Sequence, residues 1–440
     1  MGWHMRLFLP LWSLAWSLCL PLILLYLWHR GRRDPRYIAH LAERFGSYCR
    51  PAPGAVWIHA VSLGELRSAI PIITGFLDRG EHLVITCFTP AGRAEAERVF
   101  ASAITANRLQ VVWVPLDLRW TYARFLRAFA PKMGLVMEVE IWPRMVFAAR
   151  AASVPLLMCN AQYPAASLAR DSRGLLRLRQ SVMRGFAGAL VKSDAQAARF
   201  ASVGVQNIAV MGELRFDQPI PPTQVAAGQA ARAQMGLAAR PVYAFVSTIE
   251  GEDPVFIDTI QKIRRTDPDA FFVYVPRRPE RFDAVAEALR NAGLTLHRRS
   301  VDLPNELSLE CNFSPTIGQS DILLGDSLGE MYFYLAMADC VTVGGSFSPK
   351  GAHNISEALA MGKPVFTGPS VWTIEFPFTE AEAAGVARKC PDAPALAAAL
   401  LDRAAHPGTD QITAFFASQS NADQRFFAAL PDVLSGAQRR

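Results

Sequence analysis

The sequence predicts an α/β protein with two doubly wound, Rossmann-like domains that face a cleft, preceded by an N-terminal membrane-anchor helix. Three observations support this prediction. Short apolar runs alternate with amphipathic stretches through most of the 440 residues, which is typical of parallel strands covered by helices on both faces. A proline-rich break near position 220 separates two such halves. A long uncharged apolar run stands near the N-terminus.

That apolar run, Leu7–Trp28, has 22 residues without a charge, enough to cross a hydrocarbon core of about 30 Å. One arginine precedes it, whereas arginines follow at 30, 32, 33 and 36, so the positive-inside rule predicts a cytoplasmic body. A cleaved signal peptide is the alternative, but it would have a shorter apolar core and a small-residue cleavage site. Pro10 and Pro21 would allow a tilted or partly embedded helix.

Composition excludes several other classes of protein. Hydrophobic residues make up 51% and charged residues 19%, which rules out a mainly disordered chain. The net charge of +6 is concentrated in residues 1–36, so no basic face for nucleic acid is predicted. The seven cysteines are scattered without a C-x-x-C pair, which argues against a zinc site or a disulfide framework and fits a reducing compartment.

The apolar runs predict the strands of both domains. In the first half they are 56–61, 83–87, 111–114, 133–137, 156–160, 188–192 and 208–210. In the second half they are 242–247, 271–275, 322–324, 340–343 and 365–367. The expected divisions are an anchor and basic flank (1–36), a first domain (37–217), a linker and helix (218–240), a second domain (241–410) and a helical tail (411–440).

The first candidate site follows the first strand, where Ser62 and Gly64 turn into a helix that holds Glu65 in its first turn. Ligands of such sheets bind at the carboxyl ends of the strands, which suits a catalytic carboxylate. A cleft that excludes water would raise the pKa of Glu65 toward neutrality, as a general base requires, although the helix dipole opposes that rise. The alternative is a glutamate that only caps the helix.

Glu138 and Glu140 directly follow another strand, on the same predicted edge. Trp142 and Pro143 could shape a pocket for an acceptor beside them. In an extended segment the two carboxylates would point to opposite sides, so only one need face the cleft. The alternative is a solvated loop between a strand and a helix.

In the second half, Arg277 and Arg278 follow a strand and concentrate positive charge there. Guanidinium groups match phosphate oxygens, although a basic turn without a ligand is the alternative. Gly329 and Glu330 lie in a further strand-to-helix turn, a weaker signal for an anion site.

The glycine-rich segment 343–357 is the strongest cluster of the second half. Backbone amides around Gly345 and Ser346 could hold a phosphate. Asn354 could cap the following helix or bind a ligand, and Glu357 could accept hydrogen bonds from ribose hydroxyls. A glycine-rich loop with a following glutamate is how nucleotide-sugar transferases hold their donors.

Taken together, the motifs resemble those of the transferases of 3-deoxy-D-manno-octulosonic acid (Kdo) in lipopolysaccharide assembly. The resemblance runs to about Phe376. Its markers are HAVSLGE at 59–65, EVEIWP at 138–143, VKSDAQAARFASVGV at 191–205, VPRRPERF at 275–282, LLGDSLGEM at 323–331 and VGGSFSPKGAHNISEAL at 343–359.

This resemblance implies a GT-B fold and an inverting glycosyltransferase anchored in the bacterial inner membrane, without a metal or other cofactor. It implies transfer of Kdo from CMP-Kdo to the 6′-hydroxyl of a lipid A precursor, lipid IVA. Carried over by motif, Glu65 is the general base and Arg277 holds the CMP phosphate. The residues that would line the CMP pocket are Gly329, Glu330, Asn354 and Glu357.

The chain also departs from the family pattern. Arg278 stands where the family usually has His, Ala352 and Ala358 replace a Gly and a Pro, and Ile249 replaces a basic or polar residue. Gly-Glu-Leu-Arg at 212–215 stands where Gly-Asn-Leu-Lys is usual. Two alternatives therefore stay open. One is a divergent GT-B transferase or an epimerase that uses another nucleotide sugar, and the other is a non-catalytic, membrane-tethered module that binds lipid A.

Overall fold

The computed structural model describes residues 3–308 and 311–438. The chain divides into two compact units, Met1–Gln218 with Asn421–Arg440 (the first unit) and Pro219–Ser420 (the second unit). The last helix therefore packs with the first unit, whereas the sequence had suggested a separate helical tail.

The first unit contains a parallel sheet of seven strands in the order β3-β2-β1-β4-β5-β6-β7. Its strands are β1 Val56–His59, β2 Leu83–Cys87, β3 Leu109–Trp113, β4 Met133–Met137, β5 Leu156–Ala161, β6 Gly188–Val191 and β7 Ile208–Val210. The strand order reverses between the neighbours β1 and β4, so the loops that leave their carboxyl ends diverge. This switch point is where Glu65 and Glu138 enter the same edge of the sheet.

Helices cover both faces of this sheet. Those of the first unit are Trp3–Gly31, Leu63–Asp78, Pro90–Val99, Ala101–Thr105, Arg119–Phe129, Pro143–Ala151, Ala165–Asp171, Arg177–Met183, Asp194–Ser202 and Ala422–Gln438. Strand β1 shows why the apolar runs are continuous: Val56 and Ile58 enter the core on one face, and Trp57 enters the core on the other.

The second unit repeats the architecture with the order β10-β11-β9-β8-β12-β13-β14, again parallel throughout. Its strands are β8 Val242–Thr248, β9 Phe271–Pro276, β10 Leu296–Arg298, β11 Ile322–Leu324, β12 Cys340–Val343, β13 Val365–Thr367 and β14 Ala387–Lys389. Its helices are Pro222–Gln234, Asp253–Thr266, Phe282–Asn291, Arg299–Asp302, Pro315–Gly318, Met331–Met337, Ser356–Ala360, Glu375–Ala383, Ala393–Leu401 and Thr409–Gln419. Here the switch point lies between β8 and β12.

The structure confirms the two predicted α/β sheets and all twelve predicted strands, six with the predicted bounds and six with bounds that differ by one or two residues. The sequence missed β10 and β14, which are three-residue edge strands whose side chains, apart from the buried Ala387, are exposed or half-exposed. Such strands have no apolar run in the sequence. Each pairs with a neighbour along one edge only, and few of its side chains are buried.

Among the described residues, one helix is long and apolar enough to cross a membrane: His4–Gly31, with a mean hydropathy of 2.0. Length and composition alone support this, and a signal sequence has the same properties.

Candidate active site

In the first unit, Glu65 lies in the first turn of the helix Leu63–Asp78, as predicted. Ser62 is the N-cap of this helix, and its Oγ accepts a hydrogen bond from the Glu65 N–H at 3.2 Å. The Glu65 Oε2 accepts a hydrogen bond from the Val61 N–H at 2.7 Å. The carboxylate therefore does satisfy a backbone donor at the start of the helix, as the capping alternative proposed.

Burial dominates the electrostatics of Glu65 and raises its pKa to about 8. The hydrogen bond from Val61 opposes this shift, whereas the negative charges of Glu140 and Glu138 add to it. The result is a carboxyl group that exchanges its proton close to neutral pH. A carboxyl group of this kind is compatible with the predicted general base, and that role stays a prediction.

Glu138 and Glu140 both lie near enough to Glu65 to affect it, because the backbone turns sharply after β4. Glu138 has a φ of +56°, so the segment is not extended and the two side chains need not point to opposite sides. The Glu138 Oε1 lies 3.1 Å from Nη2 of Arg215. The Glu140 Oε2 accepts a hydrogen bond from Nε1 of Trp142 at 2.8 Å, and burial raises the pKa of Glu140.

A buried ion pair lies at this edge of the sheet, and it was not predicted from the sequence. Lys192, which follows β6, places its Nζ 2.6 Å from Oε2 of Glu213 and 3.7 Å from Oε1 of Glu138. The Nδ2 of Asn160, at the end of β5, donates to the Glu213 Oε1 at 2.9 Å. The feature of the sequence that could have indicated this ion pair is a lysine directly after a buried strand.

Gly64 leaves open space beside Glu65. A Cβ at this position would meet only the Ser62 Oγ, at 4.0 Å, so no packing contact within the protein requires a glycine here. At Gly92, by contrast, a Cβ would lie 3.3 Å from the backbone carbon of Ser62.

In the second unit, one buried carboxylate holds the glycine-rich loop. Glu252, which is fully buried, accepts hydrogen bonds from the N–H groups of Gly345 at 2.7 Å, Phe347 at 2.9 Å and Ile249 at 3.0 Å. Burial raises its pKa, against the effect of these donors. The sequence analysis did not select Glu252, although a Glu-Gly-Glu segment after β8 could have drawn attention to it.

Gly345 needs its glycine for two reasons. Its φ is +83°, and a Cβ would lie 2.3 Å from the Gly351 carbonyl oxygen. The neighbouring Ser346 is fully buried, and its Oγ donates to the Val343 carbonyl oxygen at 2.7 Å. The Ser346 hydroxyl therefore stabilises the turn of the loop.

The basic turn after β9 meets this loop. The Nη1 of Arg277 lies 2.7 Å from Nε2 of His353, and both Arg277 and Arg278 are exposed. Burial, reinforced by the charges of Arg277 and then Arg278, lowers the pKa of His353 to about 4, so the ring is neutral at pH 7. Two arginines that lie 65 residues or more before the loop in the sequence thus act on one of its residues, Arg277 by contact and charge and Arg278 by charge.

Asn354 and Glu357 lie at the far end of the loop. The Asn354 Oδ1 accepts a hydrogen bond at 2.9 Å from the N–H of Ser356, the first residue of the short helix, whereas the N-cap position of that helix is Ile355. Burial raises the pKa of the Tyr332 phenol, and the negative charge of Glu357 adds to this effect.

Gly329 and Glu330 occupy the turn before the helix Met331–Met337. Gly329 has a φ of +81° with open space around it. The Glu330 carboxylate forms a two-point ion pair with Arg299, with Nη2 to Oε1 at 2.7 Å and Nε to Oε2 at 2.9 Å. Arg299 is buried, so this pair fixes the turn.

Two departures from the family pattern have a structural explanation. Ala352 is not among the residues with positive φ, so its backbone does not require a glycine. Glu213, where Asn is usual, is matched by the buried Lys192.

Comparison with known proteins identifies the family. A sequence model of the Kdo transferases matches residues 39–218. A 3-deoxy-D-manno-octulosonic acid transferase of Bordetella pertussis is 39% identical over 427 residues, covering 94% of this chain and 96% of that protein. The chain belongs to the Kdo transferase family.

A transferase of the same description from Haemophilus influenzae is 30% identical over 82% of this chain and 81% of its own length. Among solved structures, a glycosyltransferase of Rickettsia africae has a TM-score of 0.57 at 12% identity, covering 88% of this chain and 100% of that one. This likeness supports the GT-B fold. The chain is therefore a Kdo transferase, a glycosyltransferase with two parallel seven-stranded sheets.

Proposed function

We propose that this transferase moves Kdo from CMP-Kdo to the 6′-hydroxyl of a lipid A precursor at the bacterial inner membrane, on its cytoplasmic side, with Glu65 as the general base. Membership of the family supports the reaction class. The observation that carries the mechanism is the buried Glu65 carboxyl, whose pKa of about 8 lies close to physiological pH. The proposal requires no metal ion.

The second unit would hold the donor. The exposed guanidinium of Arg277 offers positive charge and N–H donors to the phosphate of CMP. It lies beside the loop at 343–357, whose Gly345 and Phe347 N–H groups are already bound by Glu252. The guanidinium stabilises the negative charge that grows on the phosphate as the bond from its oxygen to the anomeric carbon breaks.

The first unit would hold the acceptor. Open space at Gly64 lets the sugar approach, and the Glu65 carboxylate takes the proton of the attacking hydroxyl. A new bond forms from the acceptor oxygen to the anomeric carbon, with inversion, while CMP leaves with the electron pair of the broken bond. The proton on Glu65 then passes to water.

The test is to incubate membranes containing the full-length transferase with CMP-Kdo and a lipid A precursor, and to analyse the lipid by mass spectrometry. We expect addition of one or more Kdo residues, with release of CMP. Unlabelled CMP should inhibit the reaction, and UDP should not.

The two alternatives give different results in the same assay. A transferase or epimerase that uses another nucleotide sugar would be inhibited by UDP. A non-catalytic module would bind the lipid without releasing CMP. Either result would contradict the proposal.

A further inference from the structure

The N-terminal helix, Trp3–Gly31, is built into the first unit along its first half. Met5 is 2% exposed and Leu9 is 5% exposed, and both belong to the core that covers one face of the sheet. The Trp16 ring lies 6.4 Å from the ring of Trp142. This half of the helix is therefore a packed element of the domain.

Polar contacts fix the same half. The Trp12 Nε1 donates a hydrogen bond to Oδ2 of Asp117 at 2.7 Å, and Asp117 is 1% exposed. The Arg144 guanidinium donates to the Ser13 Oγ at 2.6 Å and to the Leu9 carbonyl oxygen at 2.5 Å. Asp117 also accepts a hydrogen bond from the Met145 N–H at 3.0 Å, so one buried carboxylate ties the helix to the body.

The chain returns to the same unit directly after the helix. The turn Leu41–Phe45 packs beside β3, where the Glu43 Oε2 accepts a hydrogen bond from the Trp113 N–H at 2.8 Å. The Arg44 carbonyl oxygen accepts one from the Leu116 N–H at 2.9 Å, and Arg44 is 2% exposed. The chain is therefore back in the first unit ten residues after the helix ends at Gly31.

The length of the helix beyond its docked half distinguishes a helix that crosses the bilayer from one that stays on one side. Only residues 17–31 follow the docked half, and at 1.5 Å per residue they extend about 22 Å. A hydrocarbon core of about 30 Å requires about 20 residues. A helix that keeps the Trp12–Asp117 contact therefore cannot place its two ends on opposite sides of a bilayer.

The opposite face of the helix carries an exposed apolar surface along its length. Six leucines at intervals of three or four residues form this leucine stripe, each between 54% and 70% exposed: Leu7, Leu11, Leu14, Leu18, Leu22 and Leu25. Exposed arginines lie at both ends of the stripe, with Arg6 before it and Arg30, Arg32 and Arg33 after it. Leucines can insert among the acyl chains of one leaflet while the flanking guanidinium groups reach its anionic head groups.

We propose that this helix is an in-plane anchor: the leucine stripe inserts into one leaflet, and the N-terminus stays on the same side as the body. The proposal rests on the membrane association in the proposed function, and it does not depend on the transfer chemistry. It also places lipid beside the candidate acceptor site, because Trp16 contacts Trp142 and Trp142 donates to Glu140. An acylated acceptor could reach that site while its chains stay in the leaflet.

Sidedness is tested with single thiols in the full-length protein. Cys19 and Cys49 are the exposed cysteines, and the other five are buried. A Cys19→Ser variant keeps Cys49 as a marker of the body, and a Cys19→Ser/Cys49→Ser/His4→Cys variant reports the start of the helix. With a membrane-impermeant maleimide, we expect both variants to react in inverted inner-membrane vesicles and neither to react in spheroplasts. Reaction of position 4 in spheroplasts, or a mature protein that lacks residue 4, would overturn the proposal.

Depth provides a second, independent measurement. Spin labels at Leu11→Cys, Leu18→Cys and Leu25→Cys, in the Cys19→Ser/Cys49→Ser background, are examined in vesicles of phosphatidylethanolamine and phosphatidylglycerol. An in-plane helix gives similar, shallow depths at all three positions. A maximum depth at position 18, or no lipid contact at any position, would overturn the proposal. Transfer is not measured, so failure of the catalytic proposal would leave these results unchanged.

Discussion

The Nζ of Lys192 lies 2.6 Å from Oε2 of Glu213, with side-chain exposures of 1% and 2%. The Lys192 Nζ also lies 3.7 Å from Oε1 of Glu138, one of the carboxylates whose charge raises the pKa of Glu65. Burial alone would raise the pKa of Glu213, but the charges of Lys192 and Arg215 outweigh it and lower the pKa. The pair thus keeps a charged side chain in place where the family usually has a neutral one.

Removing one partner should therefore destabilise the transferase strongly. Lys192→Met leaves Glu213 buried with a charge that is only partly compensated, and we expect a loss of about 3 to 5 kcal/mol in the free energy of unfolding. The double variant Lys192→Met/Glu213→Gln should lose clearly less than the sum of the two single variants. Urea unfolding of all four proteins measures this, and additive losses would show that the pair is not coupled.

The same pair predicts a dependence of stability on pH. Because the folded-state pKa of Glu213 is lowered, its contribution is complete above its ordinary pKa of 4.5 and is lost as the pH falls through the folded value. Glu213→Gln should therefore flatten the acid limb of a plot of melting temperature against pH. An unchanged acid limb in that variant would assign the loss to other carboxylates.

Glu65→Gln should lower turnover by about 10²- to 10⁴-fold, the usual contribution of a general base. The amide keeps the shape and the acceptor for the Val61 N–H, so folding should be preserved. The measurement is kcat together with the Kd for CMP, which should stay close to that of the unchanged enzyme. Turnover like that of the unchanged enzyme would remove Glu65 from its proposed role.

Protonation of Glu65 should govern the acid limb of the rate profile. Only the carboxylate accepts a proton, so kcat/KM should fall about tenfold per pH unit below its pKa and level off above about 8. Glu140→Gln removes a negative charge that raises this pKa, and we expect the limb to move to lower pH. Glu287→Gln, an exposed glutamate of the second unit, is the matched control and should not move it.

Glu252 should act on donor binding through the glycine-rich loop. Glu252→Ala leaves three backbone N–H groups without their acceptor, at a cost of about 1 to 3 kcal/mol for each unsatisfied group. We expect a higher KM for CMP-Kdo and a lower melting temperature. Glu250→Gln, in the same Glu-Gly-Glu segment, is the control, because it removes only an exposed ion pair with Lys350 of the loop and leaves the backbone N–H groups satisfied. Equal effects of the two substitutions would contradict the role of Glu252.

The sequence by itself determined the elements that depend on neighbouring residues. Continuous apolar runs identified β1 and β4 because strands buried on both faces need apolar residues at every position. Ser62 and Gly64 marked the helix start that presents Glu65, because capping is a local hydrogen-bond pattern. Motif order was enough to indicate the family.

Tertiary structure alone decided the electrostatic and topological properties. The pKa of Glu65 depends on burial and on a carboxylate 75 residues away, and the glycine-rich loop depends on Glu252, more than 90 residues before it. The N-terminal helix has the composition of a membrane span, yet it is bound to the first unit by Asp117 and Arg144, more than 100 residues further along the chain. Charge interactions and desolvation act through space, and hydrophobic periodicity along the chain carries no record of which distant groups will meet.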